Sequence, residues 1–137
     1  IIDNEKGKVS NYGWPVASYS DYYGYENSSI KKIAPFKKNH KKFGFIEPLI
    51  YFTPAIGISQ IINSSVFKKK YSSDVFLVTS MREKKIIFLQ IKQDSKEAEV
   101  IDELVIGERI RDIIILDKNR YLLYLEDSPS LGILSFQ

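Results

Sequence analysis

The feature that most constrains this chain is a repeat of short apolar runs in its second half. Val75-Phe76-Leu77-Val78-Thr79 aligns with Tyr121-Leu122-Leu123-Tyr124-Leu125 at an offset of 46 residues, and without a gap Ile87-Phe88 then falls on Ile133-Leu134. Runs of β-branched and aromatic residues separated by charged or turn-forming clusters read as strands. Each copy follows another apolar run, at 55–59 and at 113–116. A period in the forties built of strand, hairpin and strand is the pattern of propeller blades. The competing reading is chance similarity between two ordinary hairpins.

Strands are expected at residues 54–59, 74–80, 85–92, 97–105, 110–116, 120–125 and 131–136. Connections as short as Asp117-Lys118-Asn119 and Asp127-Ser128-Pro129-Ser130 make neighbouring strands antiparallel hairpins. No stretch predicts a helix of useful length. Before Pro48 the texture differs: Gly7, Gly13, Pro15, Gly24, Pro35 and Gly44 punctuate a segment rich in Ser, Asn and Tyr. The expected organisation is therefore an aromatic- and lysine-rich loop region over 1–48 and about two four-stranded antiparallel blades over 49–137. This is an all-β chain, part of a larger propeller. The first blade offers four strands and the second three, so the piece is expected to need further blades or other copies to cover its edges.

Composition removes several classes. A chain of 137 residues with 44% hydrophobic and 27% charged residues has the balance of a globular domain. Its longest apolar runs fall far short of the roughly 20 residues that span a bilayer. With no cysteine there is neither a disulfide framework nor a thiolate metal site. Nothing matches a Gly-rich phosphate loop, a nucleophile elbow or a paired-carboxylate glycosidase site. The net charge of +3 is unevenly spread: lysines crowd residues 31–42 and 68–70, and the last forty residues are acidic on balance.

Arg109 and Arg111 stand two apart in Gly107-Glu108-Arg109-Ile110-Arg111-Asp112. On a regular strand they project from one face, with Ile110 and Asp112 pointing away. Two neighbouring guanidinium groups suit a polycarboxylate, each able to bind a carboxylate through paired hydrogen bonds. The plainer alternative is a solvated edge in which Glu108 and Asp112 neutralise the arginines.

Three segments together carry a family resemblance: Asn11-Tyr12-Gly13-Trp14-Pro15 with Ser18-Tyr19, Thr53-Pro54-Ala55-Ile56 with Ser59, and the Arg109-Ile110-Arg111-Asp112 element. Their order and spacing resemble the C-terminal part of the soluble sugar dehydrogenases that use pyrroloquinoline quinone, the aldose and glucose/sorbosone dehydrogenase family. The resemblance implies a six-bladed propeller, the quinone and calcium as cofactors, an aldose-type substrate and a periplasmic or secreted location. It also implies a reaction in which a proton leaves the anomeric hydroxyl as hydride passes to the quinone. By the same resemblance Arg109, Arg111 and Arg82 contact the cofactor carboxylates, Phe52 stands where a stacking tryptophan often lies, and Tyr12 offers a main-chain carbonyl to calcium. Arg82 takes a place the family usually gives to lysine. For Arg82 the alternative is an ordinary turn charge in Arg82-Glu83-Lys84-Lys85.

The departures set the limits of that reading. The family's histidine base and its Gly-Pro calcium element lie upstream of the region matched here. The sole histidine, His40, sits in Lys-Lys-Asn-His-Lys-Lys and reads as a solvated loop residue. The chain alone is expected to be catalytically incomplete. A second class stays open: a non-catalytic propeller-type binding or scaffold module, its Tyr19, Tyr22, Tyr23 and Tyr25 stacking on sugars or unpaired bases. For the lysines, solvation is favoured over nucleic-acid binding. Three two-blade copies would close a six-bladed ring, so homo-oligomerisation is also an expectation.

Overall fold

The computed structural model describes residues 9–20, 29–71, 73–92 and 97–136. Two compact units divide the chain, Ile1–Pro54 and Ala55–Gln137. The second unit is all-β. It contains β1 (Ile58–Ser64), β2 (Asp74–Ser80), β3 (Lys85–Lys92) and β4 (Glu97–Val105) in one antiparallel sheet. A second antiparallel sheet holds β5 (Ile110–Ile115), β6 (Arg120–Leu125) and β7 (Ser130–Ser135). Each sheet runs in chain order with hairpin connections, as propeller blades do.

β2 and β3 form because their β-branched and aromatic residues are buried on both faces of the sheet. Val75, Leu77, Ile86 and Ile87 expose at most 1% of their surface. The core between the sheets joins Val75, Leu77, Ile86 and Phe88 from the first to Ile110, Ile113, Tyr121 and Leu123 from the second. Phe67, Phe88 and Phe136 pack edge to face beneath it, with ring centroids 5.0 to 5.9 Å apart. Such contacts add to the area they bury.

The first strand is a correction to the sequence reading, which placed it at 54–59. Residues 55–57 are instead a loop strapped to the β2–β3 turn: Ile56 O accepts the Arg82 N–H at 3.0 Å and the Ser80 hydroxyl at 2.6 Å, and Gly57 O accepts the Met81 N–H at 2.8 Å. Gly57 has φ +68°, which ends extended geometry before β1 begins. The true strand is Ile-Ser-Gln-Ile-Ile-Asn-Ser, whose polar residues hide its alternation. They are tolerated because they bond to the neighbouring sheet. Ser59 Oγ donates to Ile110 O at 2.6 Å, and Ser64 Oγ shares a 2.6 Å hydrogen bond with the Tyr121 hydroxyl.

A second correction concerns the repeat. In the first sheet Leu77 pairs with Phe88, whereas in the second Leu123 pairs with Gly132 rather than Leu134. The β6–β7 hairpin is thus two residues tighter than an ungapped alignment allows. A shift of two preserves the alternation of faces, so the inward set survives it. Single-turn helical segments at Ser29–Ile33, Lys41–Phe43 and Ser65–Lys69 complete the described elements.

The first unit is largely irregular. Gly13 O accepts the N–H groups of Val16 and Ala17 at 2.7 Å each, closing a turn, and Ala17 bridges to Lys37. Gly13 has φ +86°, and a Cβ there would lie 2.8 Å from both Ala17 Cβ and the Phe45 ring. That packing explains the glycine inside Asn-Tyr-Gly-Trp-Pro. Tyr22, Tyr23 and Tyr25 lie outside the described residues.

Candidate functional site

Both sheets present the same kind of rim at one end, where the chain enters β1 and β5 and turns at β2–β3 and β6–β7. Each entering strand carries a β-bulge there. The register skips between Ile58 and Gln60 against β2, and between Ile110 and Asp112 against β6. Ser59 and Arg111 are the extra residues. A bulge re-aims its side chain out of the regular pleat.

This changes how the arginines meet. Arg109 precedes β5 and Arg111 sits in the bulge, so pleat alternation does not align them. Ile110 and Ile113, three apart, are both buried. The two arginines nevertheless converge, on Glu126 in the β6–β7 turn. Arg111 Nη2 lies 2.6 Å and Arg109 Nε 3.6 Å from Glu126 Oε2. The neighbours named from sequence as neutralising partners do other work. Glu108 accepts the Ser128 N–H at 3.1 Å, and Asp112 accepts the Ile113 N–H at 2.8 Å and the Gln60 side-chain amide at 3.3 Å.

The β2–β3 turn joins this rim through Lys84, whose Nζ lies 2.9 Å from Asp127 Oδ2. The same oxygen accepts the Arg109 N–H at 3.0 Å. The Lys84 ammonium, followed by that backbone donor, holds the Asp127 carboxyl below its ordinary range. Lys84 stands at φ 54° and its carbonyl accepts the N–H groups of Ile106 and Gly107, at 3.0 Å each. Arg82 directs Nη1 to Ala55 O at 3.3 Å. The structure thus brings Arg109 and Arg111 onto one carboxylate and places Arg82 on the adjoining turn.

Sequence reading missed Lys84, Glu126 and Asp127. Glu126-Asp127 stands next to the Ser-Pro turn, well downstream of the arginines, with no short-range motif to mark it. Only the strand pairing of Ile110 with Leu125 brings it near.

Tyr12 and Phe52 belong to the first unit. Tyr12 is 43% exposed and Phe52 is half-buried. That unit also corrects the reading of His40, which is 5% exposed rather than solvated. It stacks on Tyr19 at a centroid distance of 5.1 Å, and Tyr19 stacks on Tyr51 at 4.2 Å. Glu47 anchors the group: it accepts the Tyr19 hydroxyl at 2.9 Å and the Lys41 N–H at 2.8 Å, and lies 3.7 Å from His40 Nδ1. The Lys41 backbone donor chiefly holds the Glu47 carboxyl low, and the hydrogen bond to Glu47 raises the Tyr19 phenol.

The donor set at the rim fits a polycarboxylate. Glu126 already occupies the arginine pair as a carboxylate, and both arginine side chains remain close to half exposed, at 41% and 48%. Among the described residues no three His, Asp or Glu side chains cluster as a metal site. Nor, among them, is any helix long and apolar enough to cross a membrane.

Antiparallel four- and three-stranded sheets packed face to face, each in chain order, have the form of β-propeller blades. A family model described as Glucose / Sorbosone dehydrogenase matches residues 4–134. The chain belongs to the glucose/sorbosone dehydrogenase family, a propeller family of sugar dehydrogenases. No curated protein and no solved structure matches it.

Proposed function

We propose that this chain is the C-terminal portion of a quinone-dependent aldose dehydrogenase and supplies contacts to the carboxylates of pyrroloquinoline quinone. The observation that carries the reading is the convergence of Arg109 and Arg111 on a single carboxylate, Glu126. When bound, the quinone would supply the two-electron acceptor for sugar oxidation. This chain's own residues would bind and orient it: Arg109 and Arg111 through their outward guanidinium edges, and Arg82 from the neighbouring turn. The rim also carries Glu83, Glu108, Glu126 and Asp127, so its charge is close to balanced. Binding would therefore rest on directed hydrogen bonds more than on a long-range field.

Phe52 belongs to this proposal as a flat partner for sugar or cofactor, and Tyr12 as a main-chain calcium ligand. So does an exported location. The base that takes the anomeric proton is not assigned to His40, whose ring is packed between Tyr19 and Glu47 and is 5% exposed. The fragment is proposed to bind without turning over.

Titration of the quinone into the chain tests this. Losing one charge-assisted carboxylate contact in R111A should weaken binding by about tenfold or more. Unchanged affinity in both R109A and R111A would remove the arginines from the site.

A further inference from the structure

Glu126 is the one carboxylate both arginines share, and the way it is held is informative. Its Oε2 and Arg109 Nε are shielded from solvent and make no hydrogen bond, so charge alone holds them, while the side chains of Glu126, Arg109 and Arg111 stay 33%, 41% and 48% exposed. The Glu126 oxygen that meets the pair is therefore covered. It engages the stem-side Nε of Arg109 and one terminal nitrogen of Arg111. Among the described residues, no other carboxylate forms an ion pair with either guanidinium group.

The turn that carries Glu126 is itself fixed. Its N–H donates to Arg109 O at 2.9 Å, Arg109 N–H donates to Asp127 Oδ2 at 3.0 Å, and Ser128 N–H donates to Glu108 Oε2 at 3.1 Å. These three bonds tie the β6–β7 turn to the entry of β5. They leave the Glu126 carboxylate in one place against two long side chains that would otherwise sample many rotamers.

We infer that Glu126 is the positioning residue of this site: it holds Arg109 and Arg111 with their outer donors facing together, and so sets the grip of the pair on a ligand carboxylate. The inference rests on the functional reading above. An acidic strut has two opposed effects. Its charge repels an incoming carboxylate, and its ion pairs remove the entropy of ordering two arginines on binding. Preorganisation wins here because Oε2 is shielded from solvent while both arginine side chains keep surface open to a ligand.

The experiment follows the arginine Nε–Hε signals of the full chain by heteronuclear NMR, with pyrroloquinoline quinone and citrate as titrants. E126A should release the Arg109 and Arg111 signals toward free-arginine positions and weaken quinone binding by roughly five- to tenfold, the entropy of two immobilised side chains. E126Q removes the charge that makes both ion pairs, and because neither Oε2 nor Arg109 Nε makes a hydrogen bond it should release both signals as E126A does. If E126A proves insoluble, E126S makes the same truncation with a polar side chain. Unmoved arginine signals in the truncation overturn the inference, and so does tighter binding in both variants, which would make Glu126 a competitor. If the native chain binds neither titrant, the functional reading fails. The arginine signals alone then decide whether Glu126 orients the pair.

Discussion

Tyr121 carries a hydroxyl into a core that is otherwise aliphatic and aromatic, and Ser64 supplies its partner at 2.6 Å. Both residues expose 1% of their surface, so neither can turn to water. Tyr121→Phe leaves the Ser64 hydroxyl unsatisfied and should cost about 1–2 kcal/mol in denaturant unfolding. Adding Ser64→Ala removes the orphan, so the double variant should lose no more than about the worse single one. Full additivity would mean that the two hydroxyls do not depend on each other. Asp127 gives a pH dependence at the same scale. Lys84 and the Arg109 N–H lower its folded pKa, so its contribution is complete above the ordinary aspartate value of about 3.9 and is lost as pH falls through the folded one. The acid limb of unfolding should therefore shift to less acidic pH when Lys84 is replaced by Met. An unshifted limb would leave that ion pair without influence.

Among the elements, β2, β3, β4 and β6 follow the expected ranges, because their apolar runs are dense and bounded by charge. β1 was displaced by its own polar residues: the expected strand stopped at Ser59, yet Ser59 and Ser64 are each satisfied by a group on the second sheet. Partners fifty or more residues away leave no local signature. The bulge at Arg111 was equally hidden, since Arg-Ile-Arg alternates as a regular strand would. The skipped register against β6 and the buried pair Ile110 and Ile113 betray the extra residue. Gly57 marks the break before β1, at φ +68°, and a Cβ there would lie only 3.3 Å from the Arg82 nitrogen. Gly57→Ala should destabilise the second unit by roughly 1–2 kcal/mol, the cost of left-handed backbone for an L-residue. A neutral result in thermal unfolding would show that the loop relaxes into extended geometry.

At the scale of the whole molecule, the two sheets do not end alike. β4 closes the first sheet with Glu97, Glu99, Asp102 and Glu103, the charged edge that resists further pairing. β7 closes the second with Ser-Leu-Gly-Ile-Leu-Ser, uncharged, with Leu131 67% and Ile133 63% exposed. Ile114 and Tyr124 add to the exposed apolar surface of that sheet. Replacing Leu131 and Ile133 by lysine should leave the far-ultraviolet dichroism intact and reduce binding of a hydrophobic dye. Equal dye binding would place the exposed apolar surface elsewhere.

The family was legible because glycine, tryptophan and arginine motifs are local. Glu126 was not, because its role exists only once β5 and β6 are paired. The most direct measurement is therefore the arginine Nε–Hε spectrum of the chain during titration with pyrroloquinoline quinone. The account predicts saturable shifts at Arg109 and Arg111. Shifts confined to other residues, or none at millimolar quinone, would contradict it.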